Sequence, residues 1–416
     1  MSSVLPFEII ALIIDIVGEN NDADLLKELA LVSHSFNQIC SKHLFATVEL
    51  HEVDRDYRRG VAPSKKGFVK LLRSRPDVVK HIRKLTYTFQ LLELSPSNPG
   101  FSDGQLLSSI LPNLLRTISH LNCLTIISAT FDWNTMDSSL TSAFLYLMHL
   151  PTINHIDLSY IQNFPLSSFT PSANLHRLDI SHLYLKRFNG LEEEVSSEIV
   201  ILSEMIPKIR EFHTLQSPLV TTRLLHAKNQ DGQPAFDFTD LRRLSICFGD
   251  SDEQNIRYLL QNAKLLEKLH LPVGSGQSAL RLYDILSSST GTFKTLDFSV
   301  SIYNSSLLPL GRLCEGLDGM AGHNMLEALS FDILVDGGET EDFVGSQVQR
   351  VEEVLIKPGW SALRQVSFKI TIACCGGNDS ELYKALLLQS FPDKYLSHLS
   401  RIESGAFKLS ASLSGY

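Results

Sequence analysis

Aspartates and histidines recur in this chain inside short runs of alternating apolar and polar residues: His155, Asp157, Asp179, His213, His270 and Asp297. With the many serines, these are the residue types of a nucleophile–base–carboxylate set, which is defined by geometry rather than by chain order. No Gly-x-Ser-x-Gly elbow accompanies them, and no catalytic residue is assigned. Other chemistries also lack their signatures. Gly274-Ser275-Gly276 has no following lysine for a phosphate-cradling loop, no His-Glu-x-x-His occurs, and the adjacent Cys374 and Cys375 are poorly spaced for zinc. The acidic stretch from Asp336 to Asp342 misses the calcium-loop pattern and reads as a solvated excursion. The expectation is a protein that is not an enzyme and holds no metal or cofactor.

The elements that carry these polar residues repeat. A phrase of the form Leu-x-x-Leu-x-Leu starts at Ile82, Leu121, Ile153, Leu175, Ile209, Leu241, Leu266, Phe293, Leu326 and Leu363, at intervals of 22 to 39 residues. Its second half alternates like a short strand. Helix-like segments lie between phrases, at Gln105–Ser119, Ser139–His149, Glu198–Met205, Asn255–Leu266, Ala279–Leu286, Leu307–Leu317, Gln347–Leu355 and Leu382–Leu388. Strand then helix, repeated with short connections, implies parallel strands and right-handed crossovers. The expected α/β fold is an irregular leucine-rich-repeat-like solenoid over residues 82–416, with strands concave and helices convex. A doubly wound sheet is the alternative. Ten strands are many for one open sheet, and no Gly-rich loop follows the first.

In such a stack the residue between the second and third apolar positions faces outward. It reads Thr86, Thr125, Asp157, Asp179, His213, Ser245, His270, Asp297, Ser330 and Ser367. Close-packed strands favour small polar side chains there. A sharper expectation is a mildly anionic groove that binds a protein client, with Asp157, Asp179, His213, His270 and Asp297 as candidate contacts.

Ahead of the repeats, Pro6 suits a first helical turn and Glu8 the positive end of the helix dipole. Ile9, Ile13, Ile16 and Val17 make an apolar stripe, and Gly18 to Asn21 stop the helix. Asp22 or Asp24 can cap a second helix carrying Leu25, Leu26 and Leu29, and Ser33 a third carrying Phe36, Ile39 and Cys40. Leu5, Ile10, Leu12 and Ile14 add apolar surface beyond one inward stripe, which argues for burial against another polypeptide. A cap on the repeat array would instead turn a polar face to water.

Composition is that of a folded chain, 44% hydrophobic and 20% charged. No leader or membrane span is expected, and six scattered cysteines read as free thiols in a reducing compartment, cytoplasmic or nuclear. Between Arg55 and Lys84, eleven basic residues face two acidic ones in a chain of net charge −9. Phe68, Leu71, Leu72 and Val79 interleave at helical spacing, so residues 51–81 read as a solvated basic helical connector rather than a nucleic-acid site.

Leu5-Pro6-Phe7-Glu8-Ile9, the Leu25-Leu26 pair and Leu31-Val32-Ser33-His34-Ser35-Phe36 together resemble the F-box, in its fungal form. The resemblance implies that residues 1–50 are three helices docking on a Skp-type adaptor of a cullin-based ubiquitin ligase. Leu5, Pro6, Ile9, Ile13, Val32 and Ser33 would then stand at that contact, and the repeats would select the substrate. A non-catalytic repeat scaffold without a ubiquitin role is the alternative.

Overall fold

All ten Leu-x-x-Leu-x-Leu phrases contribute a strand to a parallel ladder. The computed structural model describes residues 6–20, 22–51, 65–89, 110–169, 172–184, 200–201, 205–247, 252–273, 282–286, 291–302, 309–336, 341–374, 396 and 407–415. They fall into two compact units, Met1–Pro207 with Arg223–Phe236 and Lys208–Thr222 with Asp237–Tyr416.

In the first unit β1 (Thr47–His51), β2 (Lys84–Phe89), β3 (Cys123–Asp132), β4 (His155–Gln162) and β5 (Arg177–Ser181) pair in that order, all parallel. In the second, β7 (Glu211–Leu215), β9 (Arg243–Ile246), β10 (Lys268–Val273), β11 (Thr295–Ile302), β12 (Ala328–Asp336), β13 (Gln365–Cys374) and β14 (Phe407–Gly415) do the same. The fold class is therefore α/β with a large parallel sheet. β1 and β14 are strands outside the ten phrases.

Eight of the ten phrases enter the ladder in one way. In each, the two residues between the first and second apolar positions both donate their N–H to a single carbonyl of the preceding phrase. Asn122 and Cys123 donate to Arg83 at 2.7 and 3.0 Å, Asn154 and His155 to Asn122, and His176 and Arg177 to Asn154. Glu267 with Lys268, Lys294 with Thr295, Glu327 with Ala328 and Arg364 with Gln365 repeat the arrangement in the second unit. This locks the register, and the apolar positions form columns: Leu85, Leu124, Ile156 and Leu178 stand side by side, all buried. Phe298, Phe331 and Phe368 stack in another column, with centroids 5.6 and 4.9 Å apart. Helices pack on these columns; Phe144 of helix Ser138–Met148 meets the Tyr87 ring edge-on at 5.0 Å. A second signature marks three strands, inside β4 and just past the ends of β5 and β7. Tyr160, His182 and Gln216 adopt left-handed φ of 59°, 51° and 49°, each four residues after the second apolar residue of its phrase. Bulky residues seldom visit that region.

The segment Glu198–Met205 corrects the sequence reading. Its described residues Val200–Ile201 form strand β6, paired in parallel with β8 (Lys228–Asn229) rather than helical. β-Branched side chains, stiff at χ1, favour the strand. Helix Pro218–Leu225 was not anticipated, and Leu382–Leu388 lies outside the described residues. The basic connector does contain a helix, Lys65–Ser74, with Phe68 and Leu72 buried.

Three helices precede the ladder: α1 (Phe7–Glu19), α2 (Ala23–Ala30) and α3 (His34–Leu44). Asp22 caps α2, its carboxylate accepting from the Leu25 N–H at 3.1 Å, and Ser33 caps α3 by accepting from Phe36 N–H at 3.2 Å. Ile14, Leu26 and Cys40 form their small core, with Ile10, Val17, Leu29, Phe36, Ile39 and Leu44 packed around it. Gly18 lets α3 approach, because a Cβ there would overlap the His43 ring. His43 Nε2 in turn reaches Asp15 at 2.8 Å, and Lys42 reaches the same oxygen at 2.6 Å. Gly18→Val should therefore lower stability by about 1–3 kcal/mol through overpacking, measured as a reduced urea midpoint or lost amide protection in α1 and α3.

Candidate functional site

α1 is apolar on nearly every side, and which side faces inward decides what is left for a partner. Ile10, Ile14 and Val17 point to the three-helix core. Ile9, Ile13 and Ile16, expected as the stripe with Val17, are instead exposed together with Phe7 and Leu12. This corrects the stripe. The rotation follows from contact: only the face bearing Gly18 and Asp15 lets α3 come close enough to place His43 and Lys42. Leu12 is 56% and Ile13 47% exposed, and at the α2–α3 turn Leu31 is 87% and Val32 64% exposed.

Of the candidate adaptor residues, Pro6 is exposed at the α1 N-cap, Ile9 and Ile13 lie on the outer face of α1, and Val32 and Ser33 are exposed where α3 begins. Leu5 lies outside the described residues. Leu12 was expected as apolar surface for a partner and is exposed, whereas sequence reasoning missed Ile16 and Leu31 as members of this face. The signal was present in α1, since positions 9, 12, 13 and 16 share a helical side.

The trio is tied down near the α2–α3 turn. Asn37 Oδ1 accepts from Arg75 Nη1 at 3.2 Å and from Ser41 Oγ at 3.3 Å, while its amide donates to the Ala30 carbonyl at 3.3 Å. One neutral side chain thus joins α2, α3 and Arg75, the residue that precedes the 3-10 turn Pro76–His81.

The candidate client residues fall in one column within each unit. Thr86, Thr125, Asp157 and Asp179 are neighbours in register, as are His213, Ser245, His270 and Asp297. The carboxylates have local partners. Arg177 grips Asp179 through Nε at 3.0 Å and Nη2 at 2.8 Å, and Lys268 pairs with Asp297. His270 bridges Ser245 Oγ and Ser299 Oγ, each at 2.8 Å. Burial pushes the His270 imidazole below its usual range and, with Asp179 nearby, pushes the Asp157 carboxyl above its own.

One connection crosses strands. Cys123 Sγ lies 3.1 Å from His155 Nδ1, and His155 Nε2 lies 3.0 Å from Asp179 Oδ2. Burial disfavours the imidazolium, but the hydrogen bonds to Asp179 and Cys123 outweigh it and raise His155 from 6.5 to about 9. A group with a raised folded pKa adds stability that is complete below its unfolded value and is lost as pH climbs through the folded one. The thermal midpoint should accordingly fall between pH 6.5 and 9, and His155→Gln should flatten that fall in melts recorded across the range.

Among the described residues no cluster of His, Cys, Asp and Glu could hold a metal ion, and no helix is long and apolar enough to cross a membrane. No protein-family model and no curated protein matches the chain.

Proposed function

We propose that this chain is a substrate-recognition subunit of a cullin-based ubiquitin ligase. Helices α1–α3 act as an F-box gripping a Skp-type adaptor, and the repeats, stacked as a leucine-rich-repeat-like solenoid, hold a protein client. One observation carries the reading: the three helices complete their own core and still expose Phe7, Ile9, Leu12, Ile13, Ile16, Leu31 and Val32. Large apolar side chains gathered on one helical element mark a protein contact, and burying each contributes about 1.5–3 kcal/mol. The helix side of such a complex supplies anchors at i, i+3, i+4 and i+7, the spacing of Ile9, Leu12, Ile13 and Ile16.

The mechanism is proximity. Holding a client near a ubiquitin-loaded enzyme raises the effective concentration of its lysines, with the chemistry left to other subunits. The columns holding Asp157 and Asp179 in one unit, and His213, His270 and Asp297 in the other, would offer client contacts. Regular register supports this role, because adjacent phrases then present their polar residues side by side.

Capture with purified Skp-type adaptor tests the proposal. Ile13→Asp and Val32→Asp change exposed positions, so stability should move by no more than about 0.5 kcal/mol. Adaptor affinity should drop at least about tenfold, or about 1.4 kcal/mol, for each. Binding that is absent in the parent chain, or unchanged in both variants, overturns the ligase reading and leaves a repeat scaffold.

A further inference from the structure

The Cys123–His155–Asp179 line shares only Asp179 with the candidate client contacts, and its geometry is that of an activated nucleophile. Its members stand on three consecutive strands, β3, β4 and β5, at sequence separations of 32 and 24 residues. The sulfur meets one imidazole nitrogen and the carboxylate meets the other, so a single ring orientation serves both. Arg177 holds the carboxylate from the side through two hydrogen bonds. Lys84 lies opposite Cys123 in the ladder, on the same face of the sheet, and is exposed. Nucleophile, base and orienting group within hydrogen-bond reach are the arrangement that makes a thiol react as thiolate.

The surrounding backbone narrows the chemistry. Acyl transfer needs N–H donors free to stabilise a developing oxyanion. Here the Cys123, His155 and Arg177 N–H groups are all committed to ladder carbonyls, at 3.0, 3.1 and 3.0 Å. A displacement at sulfur that needs only a proton for its leaving group makes no such demand. We propose that Cys123 is a peroxide-sensitive thiol, with His155 as its proton carrier and Asp179 as the positioning residue. The electrophile is a small hydroperoxide. A sulfur lone pair forms the S–O bond as the O–O bond breaks. The thiol proton, carried on His155 Nδ1, passes to the departing oxygen, which leaves as water or an alcohol. Sulfur is oxidised by two electrons to the sulfenic acid and the peroxide is reduced by the same two, so no further reactant is required.

The other described free cysteines are internal comparators. Cys40 and Cys314 are buried, and burial raises the thiols of Cys40, Cys247 and Cys314, the last to about 12. None of them has a histidine partner among the described hydrogen bonds.

Hydrogen peroxide added to the full chain at pH 7 with dimedone present, followed by peptide mass mapping, tests the assignment. Cys123 should be labelled at least tenfold faster in the folded chain than in the same chain unfolded in urea, and faster than Cys247 or Cys314. His155→Gln should remove that advantage. Asp179→Asn should slow labelling several-fold and shift its pH profile, whereas Asp179→Glu should restore most of the rate. Labelling of folded Cys123 no faster than of the unfolded chain overturns the proposal without recourse to any variant. So does an undiminished rate in a folded His155→Gln protein.

Discussion

One carbonyl accepting two successive N–H groups is the constraint on which the ladder depends. It recurs at Arg83, Asn122 and Asn154 in the first unit and at Arg210, Arg242, Glu267, Lys294 and Glu327 in the second. It sits just before the strands and fixes which residues pair across them. A slip by one residue would turn every leucine column outward and every polar column inward. The leucines can then be irregularly spaced along the chain and still align. Intervals of 22 to 39 residues are absorbed between strands, where the helices and connections lie.

Register also determines what the polar face can do. Side chains far apart in sequence become lateral neighbours, as Cys123, His155 and Arg177 do across three strands. The same rule joins Ser159 to Ser181 at 2.9 Å and Ser330 to Ser367 at 2.9 Å. Most of these contacts satisfy polar groups locally, as expected where side chains are half-buried and water is partly excluded. The Cys123–His155–Asp179 line differs in kind, since its central group carries a proton between a nucleophile and a carboxylate.

The three helices follow another logic. Their core is small, and a few polar contacts hold it in place: Asp15 with Lys42 and His43, Asn37 with Arg75 and Ser41. The Asp15 carboxyl is accordingly held below its usual range, mainly by the Lys42 and His43 hydrogen bonds. A trio this small gains little from its own core. The apolar residues it leaves outside are the ones a partner could cover.

Local rules of the chain were legible in the sequence. Asp22 and Ser33 have the side chains that satisfy orphan N–H groups at helix starts, and both do so. Alternation after each Leu-x-x-Leu marked all ten strands, because period two is unambiguous when polar residues separate apolar ones. Where apolar residues run together, periodicity has no contrast. Ile9, Ile10, Leu12, Ile13, Ile14 and Ile16 fit several helical faces equally, and only contact with α3 through Gly18 chose Ile10 and Ile14 as the inner ones. Val200–Ile201 likewise needed a partner strand to decide its state. The sulfur–imidazole–carboxylate line was missed for a further reason: phrase position aligns Cys123 with His155, but only the side-chain conformations bring His155 within reach of both Cys123 and Asp179.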